Sequence, residues 1–83
     1  MSKKAKEVVL QEAERAELER WVAAHRTPQQ VVLRCRIVLG AASGLQDKKI
    51  AEAAGINPKT AALWRGRFIR EGAASLWRTA AGR

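Results

Sequence analysis

Apolar residues recur at helical spacing in the second half of the chain, on both sides of a glycine. Ile50, Ala51 and Ala54 share one face of a short predicted helix that ends before Gly55. Glycine tolerates the left-handed backbone that a tight turn often requires, and Ile56 is placed to fill the corner. The pattern therefore predicts a helix, a sharp turn and a second helix.

The second helix of this pair begins with strong start signals. Asn57 is suited to the N-cap position and Pro58 to the first helical position, where its missing N–H is not needed. Ala61, Trp64 and Phe68 then recur at i, i+3 and i+7 as an apolar stripe that must face a core. A helical hairpin of any function shows this spacing, but the basic outer side favours a DNA-binding helix-turn-helix.

A first helix is predicted from about residue 11 to about residue 25. Leu18, Trp21, Val22 and His25 form its inner stripe, and His25 is also a positive partner for the C-terminal end of the helix dipole. The outer face is rich in glutamate, which would repel phosphate. We therefore expect this helix to support the fold and to point away from DNA.

A second helix is predicted to open with Thr27 as its N-cap and Pro28 at its first position. Residues 31–42 are apolar on nearly all sides, interrupted mainly by Arg34 and Arg36. A helix that is hydrophobic on several faces belongs in the middle of a bundle. We therefore expect the other helices to pack against this one.

These segments together predict an all-α fold, a small helical bundle of four main helices that ends in a helix-turn-helix. We expect residues 1–9 to form a basic flexible tail, residues 10–77 the helix-turn-helix domain and residues 78–83 a basic C-terminal linker. Within the domain, residues 73–77 add one further turn that docks Leu76 on the core.

Composition narrows the class of partner. Among 83 residues, 16 are basic and 8 are acidic, which gives a net charge of +8 and a field that favours polyanions, either nucleic acid or an anionic membrane surface. No apolar run approaches the length of a membrane-spanning helix, and the first residues lack the apolar segment of a secretory signal. The single cysteine, Cys35, cannot form an internal disulfide, so we expect a cytoplasmic protein associated with the nucleoid.

Catalysis and metal binding are not expected. Asp47 is the only aspartate, and five of the seven glutamates precede residue 20, so carboxylates paired to hold metal ions are not supplied. One cysteine and one histidine cannot make a four-ligand zinc site. The chain also has no nucleophile–base pattern and no glycine-rich phosphate loop. We therefore expect no enzymatic activity, no cofactor and no small-molecule ligand.

The candidate DNA-binding residues follow from turning the apolar stripe inward. The outward arc and the N-terminal tip of the predicted recognition helix hold Asn57, Pro58, Lys59, Thr60, Ala62, Leu63, Gly66 and Arg70. Arg65 and Arg67 flank the stripe and are placed to reach phosphates at the groove walls. Further cationic candidates are Lys48, Arg78 and Arg83.

The outward arc is poor in groups that read bases. Lys59 could contact guanine O6 and N7 or a phosphate, whereas Ala62 and Leu63 could meet only a thymine methyl group or a sugar. Gly66 lets the backbone approach closely but reads nothing. Because phosphate contacts orient a protein and base contacts specify the sequence, we expect modest selectivity from this helix alone.

Three sequence blocks carry a family resemblance that covers nearly the whole chain from about Leu10. They are AELERWV at residues 16–22, TPQQVVLRCRIVLGAASGL at residues 27–45 and KIAEAAGINPKTAALWRGRFIREG at residues 49–72. The chain resembles the N-terminal DNA-binding region of mariner-like transposases from bacterial insertion sequences. That region is similar to a homeodomain or to one half of a paired domain.

The resemblance implies binding to the inverted repeats at the ends of a mobile element. In the family a linker with a Gly-Arg-Pro step follows and enters the minor groove, and Gly82 and Arg83 match its first two residues. The family's catalytic domain, an RNase H-like domain with an acidic metal triad, has no counterpart in this sequence. Departures from the family pattern bear on recognition more than on the fold. The departing residues are Gln46, Ala61, Ala62, Leu63 and Gly66.

Two alternative functions stay open. The chain could be a stand-alone transcriptional regulator or a non-specific DNA binder that uses the same surface. It could instead be a protein-interaction module in which Leu63, Ile69 and Trp77 form an apolar contact face. The expected partner is double-stranded DNA rather than a membrane, and homodimerisation on DNA stays open.

Overall fold

The computed structural model describes residues 7–78. This part of the chain contains four α helices and a 3₁₀ helix: α1 (Glu12–Ala23), α2 (Gln29–Ala42), α3 (Asp47–Ala54), α4 (Pro58–Glu71) and the 3₁₀ helix (Ala73–Trp77). No strand occurs between residues 7 and 78. The prediction of an all-α bundle with four main helices is therefore confirmed.

Helix α2 occupies the centre of the bundle, as its apolar sequence predicts. α1, α3, α4 and the 3₁₀ helix all pack against it. Cys35, Ile37 and Val38 of α2 are fully buried. Burial raises the pKa of the Cys35 thiol to about 11, so at neutral pH the thiol is protonated and serves as a small packed side chain.

The apolar stripe of α4 faces this core. Ala61, Trp64 and Phe68 are all buried, which confirms the predicted orientation of the helix. On α3, Ile50 is buried as expected, but Ala54 is exposed, so the predicted inner face of that helix is wrong at its last residue. Ala54 ends a helix of only eight residues, at the point where the chain turns away from the core.

The turn between α3 and α4 has the predicted geometry. Gly55 adopts the left-handed conformation with φ +70° and ψ 35°, and the N–H of Ile56 donates to the Ala51 carbonyl at 3.0 Å. Asn57 caps α4, because its side-chain oxygen accepts a hydrogen bond from the Lys59 N–H at 2.8 Å. Ile56 is half-buried against the core cluster, as its place in the corner predicts.

Two predicted helix ends need correction. α1 stops at Ala23, so His25 lies in the following turn with an exposed side chain and is not part of the inner stripe. α2 begins at Gln29, and Pro28 rather than Thr27 is its capping residue. Pro28 has an extended ψ of 147°, and its carbonyl accepts the first helical hydrogen bond from Val32 at 3.0 Å, which are the properties of an N-cap.

The core also begins earlier than the expected domain start at Leu10. Val8 is buried and belongs to the main hydrophobic cluster, although the sequence places it in the basic tail. A shallow recess joins it to Phe68 and Ile69 of α4. Residues 1–6 and 79–83 lie outside the described residues, so the basic tail and the C-terminal linker expected there stay predictions.

Arg34 is a charged residue in the interior and ties the C-terminal turn to the bundle. It is only 7% exposed, and its guanidinium carbon lies 4.0 Å from the centre of the Trp64 ring. Its Nη1 donates to the carbonyl oxygens of Leu76 at 3.1 Å and Arg78 at 2.8 Å. Burial, and secondarily the charge of Arg67, lower the pKa of Arg34, but a guanidinium stays charged at physiological pH.

We predict that Arg34→Met destabilises the domain by about 2–3 kcal/mol, because the Leu76 carbonyl in the interior and the part-buried Arg78 carbonyl lose a charged donor. Urea unfolding followed by circular dichroism measures the change. Arg36→Met is the matched control, since Arg36 lies on the same helix but is exposed, and it should change stability by less than about 0.5 kcal/mol. Equal stabilities of the two variants would show that the Arg34 contacts do not hold the fold.

Candidate nucleic-acid interface

Positive charge is concentrated in the part of the chain that follows α1, and residues 47–72, which form α3 and α4, contain six basic and three acidic residues. Residues 26–83 contain eleven basic and three acidic residues, whereas residues 1–25 contain five of each. α1, which carries most of the glutamates, packs against α2. An anionic ligand is therefore attracted to the α3–α4 side of the molecule rather than to α1.

The residues predicted to point outward from α4 do lie on its exposed side. Lys59, Leu63 and Arg70 are exposed, and Ala62 and Gly66 between them are partly exposed. We call these five residues the outer face of α4. The N-terminal tip is accessible as well, with Asn57 and Pro58 exposed and Thr60 partly exposed.

Leu63 is the apolar centre of the outer face. It is 48% exposed. Lys59 lies one helical turn before it and Gly66 one turn after it. The outer face therefore offers a cation and an apolar side chain to whatever binds there.

Arg65 is drawn inward by a carboxylate that sequence spacing does not reveal. Its Nη1 lies 3.0 Å from Oδ1 of Asp47, and the two side chains are only 17% and 23% exposed. The contact is an ion pair without hydrogen-bond alignment, because Oδ1 has no hydrogen-bond partner in the described structure. It joins the first turn of α3 to the middle of α4, so the charge of Arg65 is partly neutralised within the protein.

Arg67 has a different environment. Its guanidinium carbon lies 5.0 Å from the centre of the Trp64 ring, on which Arg34 also packs. The side chain is partly buried and flanks the apolar stripe, as the sequence predicts. The ring orients Arg67 by a cation–π contact at the edge of α4.

The remaining cationic candidates are dispersed. Lys48 is exposed in the first turn of α3. Arg78 follows the 3₁₀ helix, and its Nη1 donates to Oε1 of Glu71 at 2.7 Å. Arg83 lies outside the described residues.

Metal-ligand clusters and membrane-spanning helices are absent from the described residues. Within residues 7–78, no group of three His, Cys, Asp or Glu side chains is arranged to hold a metal ion. No helix in the same range is long and apolar enough to cross a membrane. The recesses on the surface are shallow and open, and one of them lies between α2 and α3 beside Gly40, Leu45 and Ile50.

Sequence reasoning missed two contacts that shape the interface. Arg34 was visible only as an interruption of an apolar run, and Asp47 only as the one aspartate of the chain. In both cases the sequence offered one signal, a charged residue that differs in character from its sequence neighbours. Their partners, Leu76, Arg78 and Arg65, are distant in sequence and become apparent only in the fold.

A family model described as a homeodomain-like domain matches residues 28–77, which span α2, α3, α4 and the 3₁₀ helix. Searches of curated proteins and of solved structures find no match.

We predict that Asp47→Asn raises the affinity for duplex DNA by about 3-fold, because Arg65 is released from its ion pair and gains a phosphate contact. Fluorescence anisotropy with a labelled duplex measures the change. Glu52→Gln is the matched control, since it removes the same charge from an exposed position of α3. It should change the affinity less than Asp47→Asn does.

The role of Arg65 is tested by combining the changes. In an Arg65→Gln background, Asp47→Asn should raise the affinity no more than Glu52→Gln does. A lower affinity for Asp47→Asn than for the parent chain would contradict this interpretation. It would mean that Asp47 orients Arg65 for DNA instead of withholding it.

Proposed function

Because the chain belongs to the homeodomain-like domain family, we propose that it is a DNA-binding module and that α4 enters the major groove of double-stranded DNA. One observation carries the proposal. The apolar stripe of α4 is buried, and the opposite face is exposed and carries Lys59 and Arg70. α4 contains 14 residues, so it is about 21 Å long, and a single helix fits a major groove about 12 Å wide.

The charges around α4 support this docking. Lys48 in the first turn of α3 and Arg67 at the edge of α4 are candidates for phosphate contacts on the groove walls. Neither of them forms an ion pair with a carboxylate within residues 7–78. The α4 tip, where Asn57 and the Lys59 side chain are exposed, is a further site for a phosphate or a base edge. α1 supports α2 and makes no contact with DNA in this arrangement.

We further propose that the DNA target is the terminal inverted repeats of a mobile element, and that this chain has no catalytic activity of its own. The three sequence blocks similar to mariner-like transposases support this finer assignment. The second and third blocks lie largely within residues 28–77, the range of the homeodomain-like match. The exposed α4 face supports DNA binding in general and is equally compatible with a transcriptional regulator.

A protein-interaction role has less support from the structure. Of the three residues expected to form an apolar contact face, Ile69 packs against the core cluster. Trp77 is 43% exposed, but its ring meets that of Trp21 edge to face, with centroids 5.4 Å apart. Only Leu63 stands on the outer face of α4.

We expect Lys59→Gln to weaken duplex binding by about 3–10-fold, because it removes a cation from the outer face of α4. Arg20→Gln is the matched control: it removes the same charge from an exposed position on α1 and should leave binding nearly unchanged. The parent chain should also show log K falling with log salt at a slope of about −4 to −5, as about five phosphate contacts require. Equal losses in the two variants, or binding independent of salt, would contradict the proposal.

The nature of the target needs a separate experiment. Selection from random duplexes should enrich one sequence, which is then compared with inverted repeats near the gene. Flat enrichment would refute the assignment to inverted repeats and would leave non-specific DNA binding in place. A specific sequence found at promoters and not at element ends would favour a regulator.

A further inference from the structure

Gly66 occupies an unusual position for a glycine, in the middle of α4 and on its outer face. Glycine destabilises a helix interior relative to alanine. A Cβ atom placed at Gly66 would meet one group within 4 Å, the Nη1 atom of Arg70, at 3.3 Å. The space that a side chain would occupy here is thus bordered by the guanidinium of the residue one turn later.

The missing Cβ lets the Arg70 side chain lie back along the helix. Side chains on a helix lean toward its N-terminus, so residue i+4 covers the position of residue i. The Arg70 guanidinium therefore lies over Gly66 and does not extend beyond the end of α4. A shallow recess lined by Arg65, Gly66, Ile69 and Arg70 lies beside it.

No carboxylate neutralises this guanidinium within residues 7–78. The ion pairs in that range join Lys49 to Glu52, Arg65 to Asp47 and Arg78 to Glu71. Glu71, the neighbour of Arg70 in sequence, is therefore engaged by Arg78. Arg70 is exposed and keeps its donors for a ligand.

We propose that Arg70 reads a guanine in the major groove and that Gly66 is the residue that places its guanidinium there. The inference rests on the proposed DNA binding through α4. A guanidinium presents two parallel N–H donors, which match the O6 and N7 acceptors of guanine, and this pairing is the commonest specific contact in the groove. The outer face then contains a base-reading group in addition to Lys59.

The test uses 7-deazaguanine, which lacks the N7 acceptor but pairs normally with cytosine. A duplex obtained by selection is prepared with one guanine at a time replaced, and dissociation constants are measured by fluorescence anisotropy. For the parent chain, replacement at one position should weaken binding by about 5-fold or more. Arg70→Gln removes the guanidinium, and with it the same charge that Lys59→Gln removes, so it should no longer distinguish guanine from 7-deazaguanine at that position.

Gly66→Ala distinguishes the effect of Gly66 on the position of the Arg70 guanidinium from its effect on the stability of the fold. The new Cβ would stand 3.3 Å from Nη1 of Arg70, so the guanidinium must shift by a few tenths of an ångström and discrimination at the same guanine should weaken. The alanine should at the same time raise the melting temperature by about 4–8 °C, because it favours the helix. Lys59→Gln is the control for general charge: it should weaken binding but keep the 7-deazaguanine effect.

Several outcomes would overturn the proposal. Discrimination that persists in Arg70→Gln, or that disappears in Lys59→Gln, would assign the guanine to another residue. Discrimination that is unchanged in Gly66→Ala would refute the role of Gly66. If no guanine is sensitive while salt-dependent duplex binding remains, Arg70 contacts phosphate only. Selection that enriches no sequence would likewise mean that Arg70 contacts phosphate only. Absence of duplex binding would refute the proposed function itself.

Discussion

The indole of Trp64 is the contact on which the placement of α4 depends. Its ring is buried against the core, with the Arg34 guanidinium 4.0 Å from its centre. Burial of a large aromatic side chain removes about 150–250 Å² from water, which stabilises the fold by about 4–6 kcal/mol as an upper estimate. A rotation of α4 by one residue, about 100°, would expose this ring and bury Lys59 or Leu63 instead. The orientation of the outer face is therefore fixed from the inside.

The same contact links the interface to the C-terminal turn. Arg34 packs on Trp64 and donates to the carbonyl oxygens of Leu76 and Arg78, so α2, α4 and the 3₁₀ helix meet at one guanidinium. A buried charge of this kind is tolerated because its Nη1 donates to two carbonyl oxygens and its guanidinium lies over an aromatic ring. The arrangement leaves the α3–α4 side open for a ligand, while α1 completes the core from the side of α2.

The sequence predicted the elements wherever local signals agreed with one another. Gly55, Asn57 and Pro58 mark the turn and the start of α4 by backbone preferences that do not depend on the rest of the fold. His25 and Ala54 were assigned to inner faces because a periodic pattern does not show where a helix stops. Val8 lies outside any periodic segment, so its burial follows only from the tertiary fold.

The candidate site likewise has one part that the sequence predicts and one part that depends on the tertiary fold. The outer face of α4 was predictable because it is the complement of the apolar stripe. The engagement of Arg65 by Asp47, across 18 positions, and of Arg34 by Leu76, across 42, depends on how the helices are assembled. The position of the Arg70 guanidinium over Gly66 depends on a rotamer, which sequence spacing does not determine.

The central claim is that the side of α4 opposite Trp64 is the surface that meets DNA. It is tested most directly by titrating the isotopically labelled chain with duplex DNA and following backbone amide shifts by NMR. The largest shift changes are expected at Lys59, Leu63 and Gly66 and at the α4 tip, and the amide shifts of α1 should stay nearly unchanged. Shifts concentrated on α1, or in the recess between α2 and α3 beside Gly40 and Leu45, would contradict it.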